Sequence, residues 1–272
     1  MEEELLDLSN KQFDMIPLKF LSHIAEKQVS NINLRKNKLK TFKLELENCD
    51  YLRQLNLSFN HLNHFPHVLE ISNLSILNIS NNSIEQIPDS INTLISLREL
   101  DISSNSLRQL PMQVFDLPNL ERLFANQNYI TQFNLPDTTE KKIMQNLTEL
   151  DLSKNKLQFF PDLHRIQSLK ILVLRGNKIN EIRIENPLKD VTSIDLANNE
   201  ISSVPSSLFF FPNLETLDLC YNKISSLDFG NSENKPNLKI ISLSNNKLKG
   251  LPESKIFFLF FFFQLFISFL FF

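Results

Sequence analysis

The stretch Leu97-Arg98-Glu99-Leu100-Asp101-Ile102-Ser103-Ser104-Asn105-Ser106-Leu107-Arg108-Gln109-Leu110-Pro111 decides the fold. It fits the frame LxxLxLxxNxLxxLP, and the frame recurs along the chain. Its asparagine falls at Asn37, Asn60, Asn82, Asn105, Asn128, Asn155, Asn177, Asn199, Asn222 and Asn246. Steps are 22 to 24 residues, except for 27 between Asn128 and Asn155. An earlier copy begins at Leu6, Leu8, Phe13, Ile16 and Pro17, with Lys11 in the asparagine place. A fixed period of this length means a stacked array, in which no unit buries its apolar face alone.

Within each copy, alternation such as Leu100-Asp101-Ile102 has period two and predicts a short strand. Leu and Ile point inward, each buried one worth roughly 1.5–3 kcal/mol. The asparagine follows the strand, where the chain turns. Its amide can both donate to and accept from backbone groups that would otherwise be buried unpaired, at about 1–3 kcal/mol each. The expected fold is an α/β solenoid of about eleven repeats over residues 1–255. It has a curved parallel sheet on the concave face and helical or irregular segments on the convex face. Residues 18–28 read as a short helix, and residues 134–145 as a polar insertion that accounts for the 27-residue step.

On these residues the chain resembles the leucine-rich-repeat family from residue 5 to 252. The dipeptides Ile16-Pro17, Ile87-Pro88, Leu110-Pro111, Val204-Pro205 and Leu251-Pro252 resemble the intracellular subclass with units of about 23 residues. The resemblance implies a non-catalytic protein that binds other proteins, and it supplies no site residues.

Composition excludes several functions. The three glycines, Gly176, Gly230 and Gly250, lie too far apart for a phosphate-cradling loop, so no nucleotide cofactor is expected. Formal net charge is -3, which argues against a dedicated nucleic-acid binder. Cys49 and Cys220 are far apart and no cysteine-rich flank is visible. The start, Met1-Glu2-Glu3-Glu4, is acidic where a secretion signal is basic. The expectation is a cytoplasmic, monomeric chain. His61, His64 and His67 form HxxHxxH, but run along a loop and do not read as a converging metal site. No histidine falls in a strand column to activate a serine, so no enzyme is expected.

The binding face is expected on the strand residues beside the inward leucines. The column after the first inward leucine is Asp or Asn in most copies, ends in Ser242, and breaks to large apolar groups at Phe124 and Val173. Those Asp and Asn residues read as solvent-facing consensus. The next outward column is mostly serine, but holds Arg35 and Arg175. Phe124, Val173 and Arg175 are the candidate anchors for a protein partner, because aromatic and arginine side chains carry most interface energy. Glu99, Arg122 and Glu149 occupy equivalent places on successive strands and read as an ion-pair ladder beside the anchors. Phe59 and Tyr221 read as half-packed loop residues.

The tail from Ile256 to Phe272 holds ten phenylalanines in seventeen residues. One reading is a membrane anchor at the short limit for a span, roughly 25 Å at helical rise. A second is an apolar cap under the last repeat. A third is translated non-coding sequence, since Phe, Leu, Ile and Ser share T-rich codons. As an anchor it would make the chain a membrane-tethered repeat protein.

Overall fold

Period-two alternation yields the expected short strands. The computed structural model describes residues 4–43, 49–136, 143–184, 186–227, 237–249 and the backbone of 266–268. The chain divides into two compact units. The N-terminal unit is Met1–Tyr129 with Pro136–Leu147, and the C-terminal unit is Ile130–Leu135 with Thr148–Phe272.

The N-terminal unit carries β1 (Leu5–Asp7), β2 (Asn31–Asn33), β3 (Gln54–Asn56), β4 (Ile76–Asn78), β5 (Glu99–Asp101) and β6 (Arg122–Phe124). Each pairs in parallel with the next, and the central residues stay in register: Leu6, Ile32, Leu55, Leu77, Leu100, Leu123. The C-terminal unit carries β7 (Glu149–Asp151), β8 (Ile171–Val173), β9 (Ser193–Asp195), β10 (Thr216–Asp218) and β11 (Ile240–Ser242), with Leu150, Leu172, Ile194, Leu217 and Ile241 in register. A further strand, β12 (Phe266–Ser268), pairs in parallel with β11. The other residues of the Phe-rich tail lie outside the described residues.

This is a parallel β-solenoid, one strand per repeat. The interior is a column of apolar side chains: Leu77, Leu100 and Leu123, and likewise Leu150, Leu172 and Leu217, are fully excluded from solvent. Behind the strands the chain returns mostly in irregular form. Pro17 precedes the only α-helix among the described residues, α1 (Leu18–Lys27), which buries Ile24 and ends where Gln28 turns left-handed. Pro88, Pro111 and Pro205 directly precede short 3-10 turns at Asp89–Thr93, Met112–Asp116 and Ser206–Phe210. Proline suits that place because its fixed φ leads into a helical turn and its missing N–H is not needed there. Leu251-Pro252 and residues 137–142 of the polar insertion lie outside the described residues.

The frame asparagines tie successive repeats together. Asn105 Nδ2 donates to the carbonyl of Ile79 in the preceding repeat at 3.0 Å and to Ile102 in its own at 3.1 Å. Its Oδ1 accepts the N–H of Ile84 at 3.0 Å. The pattern repeats at Asn37, Asn60, Asn82 and Asn128, and in the C-terminal unit at Asn177, Asn199, Asn222 and Asn246. Asn155 accepts the N–H of Ile130 and donates to Leu152. Lys11, in the asparagine place of the first copy, is exposed.

The residue before the asparagine takes a left-handed backbone in every copy, from Asn10 and Lys36 to Tyr221 and Asn245. One of these is glycine. At Gly176, φ is +71° and a Cβ would come 3.3 Å from Lys154 Cγ.

Candidate functional site on the strand face

Two side-chain columns flank the inward leucines on the outer face of each sheet. In the second column the Asp or Asn is not a passive polar group. Its side-chain oxygen accepts the N–H two residues on: Asp7 from Ser9, Asn56 from Ser58, Asp101 from Ser103, Asp151 from Ser153, Asp195 from Ala197 and Asp218 from Cys220, at 2.8–3.0 Å. A short side chain that caps its own turn in this way explains the preference for Asp and Asn. The expectation that Asp101 simply faces solvent is therefore corrected. It is half-buried, holds the Ser103 N–H and hydroxyl, and accepts Asn78 Nδ2 at 2.9 Å.

The serine column is corrected too. Ser58, Ser80, Ser103 and Ser153 are buried rather than outward. The hydroxyls of Ser58, Ser80 and Ser103 donate back to Asn56, Asn78 and Asp101 at 2.6–2.7 Å, which a small side chain can do and a long one cannot. Arg35 and Arg175 cannot tuck in this way and are exposed.

Against that column, Phe124 and Val173 give up a turn acceptor for an apolar group. In the N-terminal unit Phe124 is half-buried and in register with Asp101. Two residues earlier on β6, Arg122 donates from Nε to Glu99 Oε2 at 2.9 Å, and Nη2 donates to the same oxygen. In the C-terminal unit Val173 lies in register between Asp151 and Asp195. Glu149 is in register with Ile171, and Arg175 stands exposed at the end of β8. Each unit thus presents its own set: Phe124 and Arg122 on one, Val173, Arg175 and Glu149 on the other.

The electrostatics of the C-terminal face centre on Asp195. Burial pushes its carboxyl above the usual carboxylate range, and the neighbouring Asp218 and Asp151 add to this. The Ala197 N–H and Arg175 pull the other way. A carboxylate of this kind favours a cation close by.

Sequence reasoning read the first column at Glu99, Arg122 and Glu149 but missed its apolar members. Ile171 and Ile240 are exposed there, at 38% and 45%. With Val173, Ile171 makes the outer face of β8 wholly apolar. Attention to the residue before each inward leucine, as well as the one after, would have found it. Phe59 and Tyr221 sit in the left-handed turn, with 41% and 53% of their surface exposed. His61, His64 and His67 are exposed along their loop, and no group of three potential ligands converges among the described residues. Cys49 and Cys220 are free thiols, each raised chiefly by burial.

The model of the leucine-rich repeat region matches residues 28–253. The chain belongs to the leucine-rich-repeat family. Of solved structures, it resembles a leucine-rich-repeat protein of Leptospira interrogans at 26% identity, covering 96% of this chain and 71% of that one with a TM-score of 0.78. It also resembles the leucine-rich-repeat ectodomain of the plant receptor kinase GASSHO1/SCHENGEN3 of Arabidopsis thaliana, in complex with CASPARIAN STRIP INTEGRITY FACTOR 2. Identity there is 27% over 88% of this chain and 29% of that one, with a TM-score of 0.68. Among curated relatives, an adenylate cyclase of Podospora anserina is 32% identical over 82% of this chain, which is 10% of that enzyme. The chain spans no more than 39% of the length of the curated relatives compared. The likeness to longer leucine-rich-repeat proteins is thus a likeness of repeats.

Proposed function

We propose that this leucine-rich-repeat chain is a non-catalytic scaffold that holds a protein partner on its strand face, as a monomeric intracellular adaptor. The observation that carries the reading is the break in the capping column. Eight described positions there accept a backbone N–H, while Phe124 and Val173 present apolar surface. Giving up such a bond costs about 0.5–1.5 kcal/mol. Neither residue is driven there by the interior, which Leu123 and Leu172 already fill. An exposed arginine and apolar side chains on neighbouring columns suit a protein partner. The plant receptor ectodomain, which has the same fold, is in complex with a factor of its own.

Intracellular placement rests on the free thiols and the Ile-Pro and Leu-Pro units. We further infer that residues 5 to about 155 resemble leucine-rich repeat-containing protein 40 in its C-terminal half, on the runs Leu5–Gln12 and Val29–Leu39.

The alternative, a membrane-tethered repeat protein, rests on the Phe-rich residues 256–272. No helix among the described residues is long and apolar enough to cross a membrane. Fractionation without detergent separates the two: a full chain that stays in the soluble fraction removes the anchor, and one that pellets with membranes removes the adaptor.

The test of the binding reading treats the units separately. Phe124→Asn alters the N-terminal face, and Val173→Asn with Arg175→Ser alters the C-terminal face. Each change installs what other repeats carry, so the fold should persist. Loss of a captured partner in either folded variant supports the reading, and retention in both removes it.

A further inference from the structure

One surface begins at Arg35, at the edge of the strand columns, runs away from them along the loop side, and is left unused by the reading above. Residues 35 to 43 read Arg-Lys-Asn-Lys-Leu-Lys-Thr-Phe-Lys, with five cations and no acid. They leave β2, turn at Lys36, and run along the loop edge of the second repeat. Asn37, Leu39 and Phe42 are buried, while Arg35, Lys36, Lys38, Lys40 and Lys43 are all exposed. The alternation turns every charge outward. None of the five has an ion-pair partner among the described residues.

The neighbouring repeat extends the surface. His61 donates its N–H to Leu39, and His67 both donates to Phe42 and pairs with Lys43. The HxxHxxH motif therefore runs directly beside the lysines. On the strand side the flanking capping residues are the neutral amides Asn33, Asn56 and Asn78, where the C-terminal unit uses Asp151, Asp195 and Asp218. Acids border the strip rather than enter it: Asp7 and Asp14 lie in the first copy, Glu70 and Glu85 line a cavity with His64 and His67, and Glu45 and Glu47 follow Lys43 in sequence.

An aromatic platform completes the strip. Arg35 lies 4.8 Å above the Phe59 ring and Lys36 lies 6.0 Å from it. Phe59 is 41% exposed and holds φ at 55°, a backbone that a bulky side chain takes only at a cost. Other copies place Asn, Ser, Lys, Gln or Gly there, and one places Tyr221, which has no cation stacked on it among the described residues.

We propose that Arg35–Lys43, with Phe59, binds a short acidic protein segment, its Asp and Glu carboxylates on the lysines and one apolar side chain on the Phe59 ring. Charge decides among anionic partners. The whole chain has 28 basic and 31 acidic residues, so outside these five cations 23 face 31. A long nucleic acid or a broad anionic membrane would meet that acidic remainder, whereas a short segment meets only the strip. This surface and the strand-face reading stand independently of each other.

The test is fluorescence anisotropy of the full chain with a labelled Asp/Glu-rich peptide carrying one central Phe. About ten residues suffice, since an extended chain advances ~3.3 Å per residue. Parallel arms use a single-stranded RNA of equal charge and phosphatidylcholine vesicles containing phosphatidylserine. The proposal expects saturable peptide binding that weakens as salt rises. It expects the Lys36→Glu, Lys38→Glu, Lys40→Glu variant to weaken binding at least about tenfold, because three attractive charges become repulsive. The milder Lys38→Gln, Lys40→Gln variant should lie between, with circular dichroism unchanged in both. Phe124→Asn should leave peptide binding intact. No saturable binding, binding indifferent to both lysine variants, or tighter binding to RNA or vesicles overturns it.

Discussion

Asn105 accepts the backbone N–H of Ile84, twenty-one residues earlier, at 3.0 Å. The same amide donates to the Ile79 and Ile102 carbonyls, so one side chain closes buried backbone on two repeats. Asn105→Ala strands several of these groups at once and should cost about 2–4 kcal/mol. Asp101→Ala loses the bonds to Ser103 and Asn78, part-buried rather than buried, and should cost about 1–2 kcal/mol. Urea melts of the two variants check the order. Equal losses would mean that the asparagine is not the stronger tie.

Asp195 gives a pH signature. Its folded carboxyl is raised above the ordinary value, first by burial, so the folded state takes up a proton more readily than the unfolded one. This group therefore favours folding at acidic pH and costs stability as pH rises from the unfolded value through the raised one. Asp195→Asn keeps an acceptor for the Ala197 N–H and removes the charge. It should be more stable than wild type at neutral pH, and the gap should close below the ordinary carboxylate range. Thermal melts at several pH values test this. A constant gap would place the effect outside titration.

Phe124→Asn and Val173→Asn should leave stability within about 1 kcal/mol of wild type, since the gained turn bond offsets lost apolar contact. A collapse in melting temperature for either would make that residue a packing element rather than an exposed anchor.

Phe59→Asn should raise stability by roughly 0.5–1 kcal/mol, because Asn tolerates the left-handed turn that Asn81 and Asn198 already occupy. It should also weaken the acidic peptide. A variant less stable than wild type would show that the ring packs rather than strains.

The repeat frame was legible because periodicity survives in sequence: the spacing of Leu100, Ile102 and Asn105 is itself the strand, the core and the turn. The 27-residue step between Asn128 and Asn155 also marks where the chain divides into two units. Which polar residues cap the turns was not legible. Asp101 and Ser103 look like solvated surface until the backbone N–H of Ser103 is placed 3.0 Å from the carboxylate. The apolar face of β8 was hidden for a related reason: Ile171 reads as one more core residue unless its column is fixed by the register with Glu149 and Ser193. The stacking of Arg35 on Phe59 joins two repeats, and no pattern within one repeat reports it.

The most direct test of the scaffold reading is partner capture from lysate by the full chain, comparing wild type, Phe124→Asn, and Val173→Asn with Arg175→Ser at matched thermal stability. The account predicts a partner that wild type retains and at least one folded variant loses. The same partner retained equally by all three would contradict it and move binding off the strand face.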